Sequence, residues 1–388
     1  MVQLDRELIL NHLHENHEDL IGSLQELVLA ESPSTNSHSQ RKILRILSNY
    51  LAQLDYKTSL VPGNNTGGFL YARPQNRLRN KPVQLLIGHC DTVWPLDTLR
   101  EMPVQIEDNK MSGPGIYDMK AGLVQMLYAL QTLDQLGIDC PVAPVIVINS
   151  DEEIGSKESK QMIRRLARIA DRALVMEPSL GLTGKLKTAR KGVGRFTIVI
   201  QGKAAHAGLD PGKGASAIAE LSHIIQKLFA MNDPEKGISV NVGMIEGGIR
   251  PNVVAPASKA VIDVRVPTHE DAMQIEHQIK SLKPNDPEVQ LEIEGQFGRP
   301  PMEPTPENRK LWKLAQQAGE HLGLQVEEAT AGGGSDGNTT SQYTATLDGL
   351  GAVGDGAHAQ HEFVFTDKLL ERTALLTYLI AAEPVRSK

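Results

Sequence analysis

Seven residues of this chain combine the types and the placement that metal chemistry asks for. His89 and Asp91 lie in "GHCDTVW", Asp118 in "GPGIYDMKAG", Glu152 and Glu153 in "NSDEEIGS", Glu177 in "VMEPS" and His358 in "GAHAQHEFV". One histidine and several carboxylates from separate segments, joined by a second histidine, make a mixed nitrogen and oxygen donor set that suits zinc or a similar divalent ion. The stretch around Glu152 is the most demanding of them. Three consecutive acids, Asp151 to Glu153, follow the apolar run "APVIVI", and desolvating such charges costs on the order of several kcal/mol per ion. Cations with a total charge of about +4 would neutralise them. Five candidate ligands exceed what one tetrahedral zinc takes, whereas two metals sharing a carboxylate would use them all. One acid is then left as general base towards a metal-activated water.

Elements must bring these residues together, and the hydrophobic periodicity says which. Residues 4–30 and 39–56 show three-and-four spacing and predict helices, so the amino-terminal third reads as helical. Next come the apolar run Val83–His89, an amphipathic helix over 119–137, a strand over 145–149, a helix over about 157–167 and the strand "ALVMEP". This alternation predicts an α/β sheet covered on both faces, with the polar residues at strand ends or in the loops that follow. From about residue 191 the order becomes β-α-β-β-α-β, the split ferredoxin-like unit. It closes at the Pro-rich "GRPPMEPTPENRK", and the chain resumes with a helix near 308–322, the Gly-rich "AGGGSDGN" and a terminal helix from about Asp367. The expected fold class is a three-layer α/β catalytic domain with an inserted α+β domain. Residues 1–190 and 298–388 form the first and 191–297 the second.

Bulk composition narrows the partners. The chain has 388 residues, 40% of them hydrophobic and 22% charged, which is ordinary for a globular protein, and a net charge of -7 with no Lys/Arg-rich run argues against nucleic acid. No stretch approaches the roughly 20 apolar residues a membrane span needs, and "MVQLDRELILNHL" lacks a basic start followed by an apolar run. A cytoplasmic location is expected. Its 2 cysteines, Cys90 and Cys140, sit in or beside strand-like runs and read as thiols of a reducing compartment.

Taken singly the motifs are weak, since a lone histidine at a strand end is more often structural and "DEE" is more often a solvated loop. Their order carries the argument. "GHCDTVWP", "GPGIYDMKAG", "NSDEEIGS", "VMEPS", "GKAAHAG", "GGGSDGN" and "GAHAQHEFV" follow one another over nearly the whole chain. In that order and separation the sequence resembles the di-zinc hydrolases that include glutamate carboxypeptidase of the carboxypeptidase G type, aminoacylase, acetylornithine deacetylase and succinyl-diaminopimelate desuccinylase.

The resemblance implies two Zn2+ per subunit, with Co2+ or Mn2+ as alternatives. His89 and Glu177 would bind one, Glu153 and His358 the other, and Asp118 would bridge them; His361 is the rival for the last ligand. Glu152 would be the general base and later the proton donor. Asp91 would orient His89 through its second nitrogen. The peptide after Asp118 would be cis. His206 in "GKAAHAG" would reach the active site from the lid of a partner subunit and stabilise the oxyanion, so a homodimer through the inserted domain is expected. Asn252 and Arg265 would hold the substrate, and Gly333, Gly334 and Ser335 would offer backbone N–H groups. Without the resemblance, Arg265 reads as a strand surface residue and His206 as a turn histidine.

The expected activity is hydrolysis of an amide bond to a C-terminal amino acid or an N-acyl amino acid with a free α-carboxylate. An acetylornithine-deacetylase-like or aminoacylase-like N-deacylase is the alternative enzyme. A metal-binding protein without catalysis would have no use for Glu152 beside Glu153.

Overall fold

The computed structural model describes residues 4–78 and 80–385, so the first three residues of the amino-terminal stretch lie outside it. The chain forms two compact units: one takes in the chain up to Thr188, Pro304–Ala331 and everything from Ser335, and the other takes in Ala189–Glu303 with Gly332–Gly334.

A six-stranded sheet organises the first unit, in the order Tyr56–Val61, Phe69–Pro74, Ala143–Asn149, Val83–His89, Ala170–Val175, Ala345–Leu347. The last four run parallel, and Phe69–Pro74 and Tyr56–Val61 add antiparallel at one side. Val83–His89 is buried along its whole length, as a strand covered on both faces must be. Its residues alternate between two cores. Leu86 joins Ile146, Ile148 and the helices Arg6–Glu15, His17–Leu29, Ala121–Gln135 and Thr366–Ala381, while Leu85 and Ile87 pack with Val145, Val147, Ile163 and Leu166 on the other face.

Three details differ from the periodicity reading. The amino-terminal third is not all helix, because Tyr56–Val61 and Phe69–Pro74 are strands; the first is a mostly exposed edge whose "YKTSLV" carries no buried run to announce it. The helix over 4–30 is two helices divided at Asn16, whose side-chain amide donates to the carbonyl of His12 at 2.8 Å alongside its own backbone N–H at 3.2 Å. The helix expected from about residue 157 starts at Lys160, since Asp151 takes the backbone N–H groups of Glu158 and Ser159 and holds that segment as a turn.

In the second unit the strand Gly192–Gln201, helix Ala217–Phe229, strands Ser239–Gly247 and Ala257–Val266, helix His269–Lys280 and strand Gln290–Arg299 follow in the β-α-β-β-α-β order. The sheet order is Ser239–Gly247, Ala257–Val266, Gly192–Gln201, Gln290–Arg299, and every pairing is antiparallel. Alternate residues, among them Phe196, Ile198, Ile200, Ile262 and Val264, pack against Leu221, Ile224, Leu228, Ile275 and Ile279 of the two helices. The unit is ferredoxin-like. Among the described residues no helix is long and apolar enough to cross a membrane.

Candidate metal centre

Strand register assembles the site. Parallel pairing sets His89 beside Asn149 and Ile87 beside Val175. The backbone ties continue one step further, with Cys90 N–H donating to Asn149 O at 2.8 Å and Met176 N–H to Ile87 O at 2.9 Å. His89, the Glu152–Glu153 segment and Glu177 therefore emerge at one carboxyl edge of the sheet, where open α/β sheets bind their ligands. The turn before Ala121–Gln135 delivers Asp118, and its peptide bond to Met119 is cis. His358 lies in the loop between Gly354–Asp355 and Phe363–Phe365, at a positive φ of 62°.

Asp118 is the centre of the arrangement. Its Oδ1 lies 3.2 Å from His89 Nε2, and its Oδ2 lies 3.6 Å from His358 Nε2. Each imidazole also faces an acid of its own: His89 Nε2 is 3.6 Å from Glu177 Oε1, and His358 Nε2 is 3.2 Å from Glu153 Oε2. Two donors each 2.0–2.2 Å from a common tetrahedral zinc lie about 3.3–3.6 Å apart. The four histidine–carboxylate distances lie at or close to that edge length. Among the described residues the sets whose donor atoms all lie within 4.8 Å of one another are His89, Glu152 and Glu177, and His89, Asp118 and Glu153. Glu153 Oε1 is buried with no hydrogen-bond partner, the mark of a donor awaiting a cation. The Glu152 carboxylate also comes within 4.8 Å of donor atoms of His89 and Glu177. It would lie within reach of an ion held there.

The electrostatics agree. Burial alone would depress the pKa of His89, but its hydrogen bonds to Asp118 and Asp91 and the charge of Glu152 outweigh burial and raise it well above the usual range. The hydrogen bond to Glu153 pushes His358 up to about 9 against partial burial. Burial would raise Asp118, yet His89 holds it below the usual carboxylate value. Burial prevails at Glu153 and raises it in spite of His358. The surrounding acids thus favour the protonated form of both imidazoles, and a ligating imidazole must give up that proton to a metal.

Asp91 is placed differently from a simple partner of His89. His89 Nδ1 is 3.0 Å from the main-chain O of Asp91 and 3.5 Å from its Oδ1. The carboxylate itself accepts the backbone N–H groups of Glu152 at 3.1 Å and Glu153 at 3.2 Å, and the Ser34 hydroxyl at 2.8 Å. Asp151, the first of the three acids, turns away and accepts from Ser159 Oγ at 2.6 Å and Glu158 N–H at 2.7 Å.

The remaining predicted residues fall in the second unit or its boundary. His206 is exposed, and its Nδ1 accepts from Gly208 N–H and Leu209 N–H, both at 3.1 Å, which leaves the proton on Nε2. Asn252 is exposed, and its carbonyl accepts from Ala207 N–H. The Arg265 fork is engaged by Asp263, Nε to Oδ1 at 2.7 Å and Nη2 to Oδ2 at 3.1 Å. Gly333 O accepts from Arg190 Nη1 at 3.1 Å. At Gly334 a Cβ would meet Arg299 Cδ at 2.7 Å. Ser335 is buried and its donors are spent internally, the N–H on Asn338 Oδ1 at 2.8 Å and the hydroxyl on Asp348 Oδ2 at 2.6 Å. It shapes the loop.

Residue-by-residue reading missed the fastenings. Asp336 accepts from Asn149 Nδ2 at 2.6 Å and Ser156 Oγ at 2.5 Å, clamping both ends of the Glu152–Glu153 loop. Glu362 gathers four donors around the Asp118 turn. Only its place in "HEFV", close after His358, hinted at a role.

Acids and histidines gathered at the strand ends of such a sheet define a class, the hydrolases that work with metal. The match is more particular than that. The model of peptidase family M20/M25/M40 matches residues 85–382, and the chain belongs to that family. Carboxypeptidase G2 of Pseudomonas sp. (strain RS-16) is 28% identical over 376 residues, covering 93% of this chain and 88% of its own. A tripeptidase of Staphylococcus aureus shares the fold with a TM-score of 0.78 at 23% identity, over 94% of this chain and 98% of that one. A dinuclear metal-binding peptidase of the M20 family from Bacillus subtilis does so with a TM-score of 0.68 at 17% identity, over 95% and 98%. The chain is thus a metal-dependent hydrolase of carboxypeptidase or deacylase type.

Proposed function

We propose that the protein hydrolyses the amide bond of a C-terminal amino acid or an N-acyl amino acid, in the manner of a glutamate carboxypeptidase, with two zinc ions. One observation carries this reading: the two oxygens of Asp118 face two different imidazoles, each with its own acid. His89 and Glu177 would hold one ion, Glu153 and His358 the other, and Asp118 both. When bound, such ions polarise the amide carbonyl and make water acidic enough to deliver a nucleophile at neutral pH.

The chain's own residues do the rest. Glu152, held by its N–H on Asp91, takes the proton of the attacking water and returns it to the departing amine. His206, with its proton on the outward Nε2, donates to the carbonyl oxygen as negative charge develops there. We assign that donation to the lid of a partner subunit, making the active form a homodimer. Exposed Met244 and Ile245 on the edge strand, and Ile249 just after it, are apolar surface suited to such an interface. Arg265 would bind the free α-carboxylate with its fork, exchanging Asp263 for substrate, and Asn252 with the Gly333–Gly334 backbone would place the rest.

Similarity over 93% of the chain to carboxypeptidase G2 supports the carboxypeptidase form. The test is a panel of N-acyl amino acids and dipeptides, assayed after chelation and after reconstitution with zinc, cobalt or manganese. Hydrolysis that vanishes with chelator and returns with metal is expected, strongest where the leaving amino acid keeps its carboxylate. Equal rates on carboxylate-free amides would contradict the substrate class, and preference for short N-acyl groups would move the enzyme to the deacylases.

A further inference from the structure

We propose that Glu362 is a positioning residue that sets the bridging carboxylate and the second histidine of the metal cluster to each other; this rests on the ligand assignment above. Glu362 is buried, 1% exposed, four residues after His358. Its carboxylate is saturated with donors. Oε2 accepts from Trp94 Nε1 and Gly115 N–H, each at 2.9 Å, and Oε1 accepts from Tyr117 N–H at 2.9 Å and Asp118 N–H at 3.0 Å. Three of the four donors are backbone groups of the single turn that ends in Asp118.

The same residue closes the loop that carries His358. Glu362 N–H donates to Ala359 O at 3.0 Å, Ala359 N–H donates to Gly356 O at 2.8 Å, and Gly356, at a φ of 84°, lies so near that a Cβ there would meet Glu362 Cα at 2.8 Å. One side chain thus bolts the Asp118 turn to the base of the His358 loop. Asp118 Oδ2 and His358 Nε2, 3.6 Å apart, belong to segments 240 positions apart in sequence, and Glu362 sits at their junction. Burying a carboxylate is costly unless its lone pairs are met, and here they are met by groups whose position matters to the ligands.

In Glu362→Gln one end of the side chain becomes an NH2 donor facing two N–H donors, so the turn cannot keep its place whichever way the amide lies. Zinc binding should report this directly. By chelator competition on the purified full chain, wild type is expected to hold two zinc equivalents, and Glu362→Gln to lose roughly 10- to 100-fold in affinity at the site of Asp118 and His358. Circular dichroism and the melting of the metal-free protein should show it folded, and activity lost at limiting zinc should return with excess zinc, which a misfolded protein would not show.

Unchanged affinity for both equivalents would overturn the proposal. So would a loss of activity with both metals retained. Should Glu362→Gln not accumulate, Trp94→Phe, which removes one donor of four, is expected to weaken zinc binding severalfold, and no change in that variant overturns the proposal. A wild type that binds no zinc would instead sink the ligand assignment itself, so the two failures are distinguishable.

Discussion

Asp91 holds Glu152 by its main chain, with Oδ1 accepting the Glu152 N–H at 3.1 Å while Oδ2 takes that of Glu153 at 3.2 Å. Asp91 thereby sets the spacing between the proposed base and the adjacent ligand. In Asp91→Asn the main-chain contact to His89 survives, but one oxygen becomes a donor and strands a buried N–H. The expected cost is about 1–3 kcal/mol of stability by denaturant titration and roughly 10- to 100-fold in activity. A variant with wild-type activity would remove Asp91 from the account.

In the proposed assignment Glu152 and Glu153 would divide two roles between neighbouring acids. Glu152→Ala is expected to keep both metals while kcat falls about 10²- to 10⁴-fold. Metal content and turnover on the same preparation check this, and loss of a metal equivalent would make Glu152 a ligand.

Glu158 fastens the loop beside the site, accepting from Asn64 N–H, Asn65 N–H and Nδ2, and Thr66 Oγ1. Slight burial would raise its pKa, but these donors outweigh it and hold the carboxyl below the ordinary 4.5. Because the folded value lies below the unfolded one, its contribution is complete above about pH 4.5 and is lost as pH falls through the lower folded value. Melting curves of wild type and Glu158→Gln should therefore differ at neutral pH and converge in acid. A constant gap across that range would contradict the assignment.

The Arg265 fork is held by Asp263, and a substrate carboxylate would have to displace it. Arg265→Ala is expected to raise KM for carboxylate-bearing substrates by roughly 10-fold or more, since hydrogen bonds to charged groups carry about 1.5–3 kcal/mol. Asp263→Ala should lower KM. Steady-state kinetics decide, and an effect confined to kcat would argue against carboxylate binding.

Much of the candidate site was legible because several of the residues it gathers follow strands whose burial shows in the sequence. "VQLLIGH" and "APVIVIN" are mostly apolar and buried at every position, and a polar residue at or just after the end of such a run stands at the sheet's carboxyl edge. The edge strand Tyr56–Val61 escaped notice because it buries little. The roles of Glu362, Asp336 and Ser34 were hidden for a different reason: each acts through partners far away in sequence, as Glu362 does with Trp94, and no local pattern encodes such a pairing. Asp151 was grouped with its neighbours by type alone, whereas its lone pairs are used on Glu158 and Ser159.

The most direct test is anomalous diffraction at the zinc edge from crystals of the zinc-loaded protein. Two peaks are predicted, one within bonding distance of His89 and Glu177, the other of Glu153 and His358, with Asp118 touching both. A single peak, or peaks away from Asp118, would contradict the shared two-metal centre.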